Sequence, residues 1–73
     1  MKTKYKFIHF VKIEDKPKTS VWSCRNSGAN FEIGTIRWYS GWRQYCYFPN
    51  ENTVYSCGCI DDINSFIGQL KEK

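Results

Sequence analysis

The sequence has few of the residues that most often carry out enzyme chemistry. His9 is its only histidine, and it lies in a β-prone stretch beside aromatic neighbours. Acid–base and nucleophilic catalysis both require a base within reach of the reacting group. The five glycines are scattered along the chain, so no glycine-rich loop is present to hold a phosphate. These absences predict a protein that is not an enzyme and that uses no cofactor.

Long hydrophobic runs are also absent. No segment approaches the roughly 20 apolar residues that are needed to cross a bilayer. The apolar stretch near the N-terminus is interrupted by His9 and Lys12, and no small-residue cleavage site follows it. We therefore expect a cytoplasmic protein that has no membrane partner.

The cysteines form no recognisable zinc motif. Their even number, at Cys24, Cys46, Cys57 and Cys59, would suit disulfides in a secreted chain. The last two form a Cys-x-Cys pair, but the Cys-x₂₋₄-Cys spacing of structural zinc sites is missing. Asp61-Asp62 is a poor metal pair, because consecutive helical side chains diverge by about 100°. Reduced thiols that pack as small apolar groups are the preferred interpretation, while a disulfide or zinc stays open as an alternative.

The chain is short but rich in aromatic residues. Its 73 residues provide for one domain, 1–73, and a domain of this size buries only about 60% of the surface of its unfolded chain. Aromatic residues make up 18% of the sequence, and each ring can bury roughly 150–250 Å². The aromatic side chains therefore make a compact core attainable.

The positive charge is concentrated at the N-terminus. The net charge is +4, and residues 1–18 contain six lysines against only Glu14 and Asp15. Lysines on a strand often prevent edge-to-edge association, so a solvated strand edge is a sufficient explanation. Contact with an anionic partner is the alternative. The candidate anion contacts are Lys4, Lys6, Lys12 and Arg37.

Alternating apolar residues and turn residues predict an antiparallel β-meander. Strands are predicted at 4–13, 20–25, 31–39 and 42–48, with a fifth short strand or an extended link at 53–55. The segment Asn26–Asn30 and the pair Ser40-Gly41 have the residue types of tight turns. Gly34 interrupts the alternation within the third strand, which predicts a β-bulge there. Both faces of the first strand are apolar at their centre, so neither is assigned to solvent.

The C-terminal segment has helical periodicity. A helix is predicted at 57–72, with Ser56 as its N-cap and with Lys71 and Lys73 near its negative end. Its apolar stripe consists of Ile60, Ile63, Ile67 and Leu70, flanked by Cys59 and Phe66. The predicted fold class is α+β, with this helix packed on one face of the sheet.

One helix is too narrow to cover the whole sheet. Four strands span nearly 20 Å, whereas a helix is about 10 Å across, so some aromatic surface is left for a partner. The candidate interaction surface is Trp38, Tyr39, Trp42, Arg43, Tyr45 and Tyr47. We expect a homodimer or another protein partner at this surface. The alternative is a module that stacks the bases of single-stranded nucleic acid on these rings beside basic side chains.

The stretch from Trp22 to Leu70 resembles a group of small uncharacterised proteins of bacteria and their phages. The specific part is the pattern Trp-Tyr-x-x-Trp-Arg-Gln-Tyr-x-x-Phe at 38–48, which is followed by the C-terminal helix. The resemblance implies a compact accessory protein of phage or mobile-element origin. The role that we expect for the chain is interaction, for example interference with a host or phage component. Residues 1–20 lie outside the resemblance, which implies no chemistry.

Overall fold

The fold is a four-stranded antiparallel sheet followed by one helix. The structure, a computed structural model, describes residues 1–71. Its elements are β1 (Ile8–Asp15), β2 (Ser20–Asn26), β3 (Glu32–Tyr39), β4 (Gln44–Pro49) and α1 (Cys57–Lys71). The strands lie in the order β1-β2-β3-β4, and each pairs with the next one along the chain. The prediction of an α+β meander with one C-terminal helix is confirmed.

Strand β1 begins and ends later than the predicted span 4–13. The chain reverses direction just before it, since the amide of Tyr5 donates to the carbonyl of Ile8 over 2.9 Å. Lys4 therefore joins the sheet only through an isolated bridge to His9. The predicted boundaries are wrong because alternation continues through a turn, whereas cross-strand hydrogen bonds do not.

The two faces of the sheet differ in how they are covered. We call the side under α1 the helix face and the opposite side the open face. On β1, Ile8 and Phe10 are buried on the helix face, whereas Val11 and Ile13 remain exposed on the open face. Tyr5 packs against the core because the chain reversal returns it to the helix side. The position of the helix therefore determines which of the two apolar faces of β1 is buried in the core.

A β-bulge lies beside Gly34, as the interrupted alternation predicts. The register between β2 and β3 shifts by one residue between Cys24 and Arg25. Ile33 is the extra residue, and its insertion lets both Ile33 and Ile36 be buried in the core. The bulge therefore brings the two apolar halves of β3 onto a common face.

Glycine is required at position 34 because an aromatic ring crosses it. A methyl group there would overlap the hydroxyl of Tyr47 and would come within 2.9 Å of the carbonyl oxygen of Phe48. Both of these residues belong to the neighbouring strand β4. The missing side chain of Gly34 therefore provides the space in which Tyr47 reaches across the sheet.

The chain on either side of β4 differs from the prediction. The amide of Arg43 donates to the carbonyl of Ser40 over 3.3 Å, which extends the turn. β4 consequently begins at Gln44 rather than at 42, and it ends at Pro49. The residues at 53–55 form an extended link and not a strand, which is the second of the two predicted alternatives.

Helix α1 begins where the sequence predicts. The side-chain oxygen of Ser56 accepts a hydrogen bond from the amide of Cys59 over 3.2 Å, which is the interaction of an N-cap. The helix extends to Lys71 in the described residues. The predicted helix end at Glu72 and the predicted role of Lys73 both lie outside them.

The core lies between α1 and the helix face. Ile63, Phe66 and Leu70 are the buried residues of the helix. The ring of Phe66 stacks on that of Phe10, with centroids 4.1 Å apart. Ile60 is 55% exposed, so its predicted place on the buried stripe is wrong. Cys59 packs against the core in its place, because positions 59, 63, 66 and 70 share the side of the helix that meets the sheet.

Candidate interaction surfaces

The aromatic residues predicted as one interaction surface lie on two sides of the sheet. Trp38 and Tyr39 are consecutive in β3, and consecutive side chains of a strand point to opposite faces. Trp38 lies on the helix face with Tyr45, their ring centroids 5.6 Å apart. Tyr39 lies on the open face, where Trp42 packs edge-on against it at 5.4 Å. Tyr47 packs on the core of the helix face. The segment therefore contributes to two separate surfaces.

The open face presents large apolar side chains that nothing in residues 1–71 covers. Trp42 is 69% exposed and Tyr39 is 42% exposed at the β4 side of the sheet. Val11 and Ile13 are 43% and 55% exposed at the β1 side. Exposed apolar side chains therefore lie at both sides of the open face, along each edge strand.

Arg37 lies over an aromatic ring on the open face. Its guanidinium carbon is 3.7 Å from the ring centre of Phe48, which is the geometry of a cation–π contact. Beside it, Tyr39, Trp42 and Phe48 line part of a shallow depression of about 320 Å³. Arg37 thus supports the aromatic cluster, although the sequence suggested it as an anion contact.

A polar network occupies the centre and one end of the open face. Ser23 has no exposed surface, and its hydroxyl donates to a carboxylate oxygen of Glu32 over 2.8 Å. The side-chain amide of Asn50 donates to the other oxygen over 3.3 Å. Arg25 donates to the side-chain oxygen of Asn30 over 3.2 Å. These charged groups are already hydrogen-bonded within the chain, so the network acts as a fixed polar part of the surface.

A second surface is a groove at the end of the sheet, between the β1–β2 loop, the β3–β4 turn and the end of α1. We call it the end groove, and its volume is about 660 Å³. Its described lining residues are Lys18, Thr19, Trp38, Arg43, Gln44, Tyr45, Leu70 and Lys71. Three of these are cationic and none is acidic. Sequence reasoning missed Lys18, and it assigned Lys71 only to the helix end, because the groove joins residues far apart in the chain.

The N-terminal lysines do not form one anion site. Lys6 lies over the ring of Phe7 at 5.2 Å, whereas Lys12 lies over Trp22 at 5.6 Å and beside Asp15 at 3.7 Å. Lys12 is on the helix face, opposite to Arg37, since it pairs with Trp22. Lys12 and Arg37 therefore lie on opposite faces of the sheet, so the four predicted anion contacts do not share one surface.

The four cysteines differ in burial, from the buried Cys24 to the exposed Cys57. All four thiols are free, and burial raises the pKa of Cys24 to about 11. A ring nitrogen of His9 lies 3.2 Å from the hydroxyl of Ser27. In residues 1–71 no group of three or more potential metal ligands comes together. That the protein is not an enzyme therefore stays a prediction.

The described residues contain one helix, α1, and it is neither long nor apolar enough to span a membrane.

No protein-family model matches the sequence. No solved structure matches it either. The chain is similar to an uncharacterised 9.3 kDa protein of Acholeplasma phage L2, with 29% identity over 68 residues that cover 92% of this chain and 87% of the phage protein. Over most of its length, the sequence is therefore related at a distance to a phage protein.

Proposed function

We propose that this protein is a small non-enzymatic accessory protein of phage or mobile-element origin that self-associates through its open face. The similarity to a phage protein over most of both chains supports the origin. The observation that carries the self-association is the uncovered apolar surface of the sheet opposite α1. Soluble monomers seldom leave clusters of large apolar side chains, such as Tyr39 with Trp42, exposed without a partner.

A second copy is the occupant that fits the charge of this surface. The ionic side chains on the open-face positions of the strands are Arg25 and Arg37 on one hand and Glu14 and Glu32 on the other, and Lys16 approaches Glu14 to 3.9 Å, so the face carries little net charge. The excess of lysine lies elsewhere, before β1, on the helix face and in the loop after β1. Two chains of net charge +4 can therefore meet through this face with less repulsion than through their lysine-rich surfaces.

The size of the face determines the expected strength of the dimer. Four strands at about 4.8 Å and six residues at about 3.3 Å give a footprint of roughly 400 Å². A stable interface buries about 800 Å² on each partner, so the flat sheet alone provides about half of that. The β3–β4 turn with Trp42 extends the face beyond the strands. We therefore expect a reversible dimer whose population depends on concentration.

Sedimentation of the protein at increasing concentration tests this proposal. Thr35 lies at the middle of the open face, paired with Ser23 on one side and Phe48 on the other. The Thr35→Arg variant places two like charges at the centre of a symmetric interface, so it should be monomeric where the wild-type protein dimerises. Asn64→Arg adds the same charge on the exposed side of α1 and should dimerise normally.

Two results would contradict the proposal. One is a wild-type protein that sediments as a monomer up to its highest soluble concentration. The other is a Thr35→Arg variant that dimerises as strongly as Asn64→Arg, since the interface would then lie elsewhere.

A further inference from the structure

We propose that the end groove binds a segment of single-stranded nucleic acid, with a base stacked on Trp38 and the adjoining phosphates held by Lys18, Arg43 and Lys71. This site differs from the proposed interface, because Lys18, Trp38 and Lys71 lie at the end of the sheet and on the helix face, and the two sites share only the β3–β4 turn. Four features support it: its charge, its aromatic wall, the backbone of Arg43 and its dimensions.

The positive charge of the end groove is suited to binding an anion. Among residues 1–71 the salt bridges join Lys12 to Asp15 and Lys16 to Glu14, so no described carboxylate neutralises the groove cations. The C-terminal end of a helix carries only about half a negative charge. Among the described lining residues, the three positive charges therefore outweigh the helix end and favour the binding of phosphates.

The aromatic wall provides a surface for a base. Trp38 is 42% exposed although it lies on the helix face. Tyr45 beside it is held in place, since its hydroxyl accepts a hydrogen bond from the amide of Ser20 over 3.2 Å. The two ring planes are 86° apart. A base can therefore stack on the indole while its edge meets the phenol ring.

The backbone of Arg43 indicates that its side chain matters. Its φ is 53°, in the left-handed region that glycine and asparagine adopt far more readily than arginine. For stability alone, glycine or asparagine would be the more favourable residue at position 43. Backbone strain of this kind is often retained at binding sites, where the side chain is needed in that position.

The dimensions favour a strand over an isolated small anion. A volume of about 660 Å³ lies within the roughly 300–1,000 Å³ of small-molecule sites, so a base with its sugar and phosphates fits. The groove is open to solvent, which lets a chain enter and leave it. Its three cations lie on three different segments of the fold, as suits phosphates on both sides of one base.

Fluorescence anisotropy of a labelled oligothymidylate tests the proposal. With three phosphate contacts and a slope of about −0.7 for each in single strands, raising salt from about 50 to 200 mM should weaken binding roughly 18-fold. Thymidine monophosphate should compete poorly, because it offers one phosphate. Absence of binding at low salt, or equal affinity for the mononucleotide, would overturn the proposal of a strand site.

Three variants locate the site. Trp38→Ala should weaken binding by roughly 5- to 140-fold, the range for loss of one stacked base. Arg43→Asn should weaken binding and reduce the salt slope, while its melting temperature stays the same or rises because asparagine tolerates the left-handed backbone. Lys6→Asn removes the same charge away from the groove and should bind like the wild-type protein. If Lys6→Asn weakens binding as much as Arg43→Asn, the attraction is diffuse and the assigned site is wrong.

Discussion

The hydroxyl groups of Tyr47 and Tyr55 lie 2.7 Å apart, and Tyr55 in turn donates to the carbonyl of Ile33 over 2.7 Å. Since the single proton of Tyr55 is used at Ile33, Tyr47 must be the donor between the two hydroxyls. This chain of hydrogen bonds joins β4, the link before α1 and the β-bulge. These hydrogen bonds therefore hold the link before α1 against the sheet.

Tyr55→Phe should destabilise the protein more than Tyr47→Phe. Loss of the Tyr55 hydroxyl removes two hydrogen bonds: the Tyr47 hydroxyl loses this acceptor, and the Ile33 carbonyl keeps only the amide of Asn50 as a donor. The expected cost is about 1–3 kcal/mol. Tyr47→Phe removes one donor and leaves the bond to Ile33 intact, so about 1 kcal/mol is expected. Urea unfolding measures both. Tyr39→Phe, on the open face, should stay within about 0.5 kcal/mol of the wild-type protein. Equal losses in the two test variants would contradict this order of donors.

Replacing each of two glycines with alanine should change the stability of the protein in opposite directions. At Gly34 the new methyl group would meet the Tyr47 hydroxyl and the Phe48 carbonyl, so we expect a loss of about 1–3 kcal/mol from overpacking. At Gly68, within α1, no atom lies within 4 Å of the new methyl group. There the higher helix propensity of alanine should add about 0.5–1 kcal/mol of stability. Chemical denaturation of the pair checks the difference, and a tolerated Gly34→Ala would mean that Tyr47 can move aside.

The N-cap of α1 should contribute measurably to stability. Ser56→Ala removes the acceptor of the Cys59 amide, which should cost about 1 kcal/mol in unfolding free energy. Ser65→Ala changes the same residue type at an exposed position inside the helix and should be neutral or slightly stabilising. Thermal unfolding followed by circular dichroism distinguishes them. Similar melting temperatures for the two variants would show that the first turn is held by other contacts.

Local patterns in the sequence predicted the features that depend on neighbouring residues. The start of α1 at Ser56 and the bulge beside Gly34 follow from capping and from interrupted alternation. The start of β1 did not follow, because it depends on a chain reversal that keeps the same apolar alternation. Ile60 was placed on the buried stripe because its spacing from Ile63 and Ile67 is helical, yet the sheet meets a neighbouring side of the helix.

The two surfaces could be predicted only in part. That an aromatic excess remains beyond one helix follows from the widths of a helix and a sheet. The division of Trp38 and Tyr39 between two faces follows from strand alternation, once both are placed in the same strand. The end groove could not be predicted, because Lys18, Arg43 and Lys71 meet only through tertiary packing.

The buried thiol of Cys24 should make the fold sensitive to alkaline pH. Burial raises the pKa of this thiol from an ordinary 9.0 to about 11, and burial also raises the pKa of Tyr47 above its ordinary value. Below about pH 9 the thiol is protonated in both the folded and the unfolded chain, so pH has no effect through this group. Between about pH 9 and 11 the folded chain holds the proton that the unfolded chain releases, and stability falls as pH rises. The thiol alone should account for a loss of about 2 kcal/mol over that window.

Cys24→Ala isolates this contribution. The variant is less stable at neutral pH because it leaves a small cavity, but its unfolding free energy should fall less steeply between about pH 9 and 10. Urea unfolding in the presence of a reductant at several pH values measures both slopes. Cys57→Ala removes an exposed thiol and should keep the wild-type slope. If the curves for Cys24→Ala and the wild-type protein run parallel, the thiol ionises as readily in the folded chain as in the unfolded chain. Its burial would then be relieved by opening of the helix face at alkaline pH.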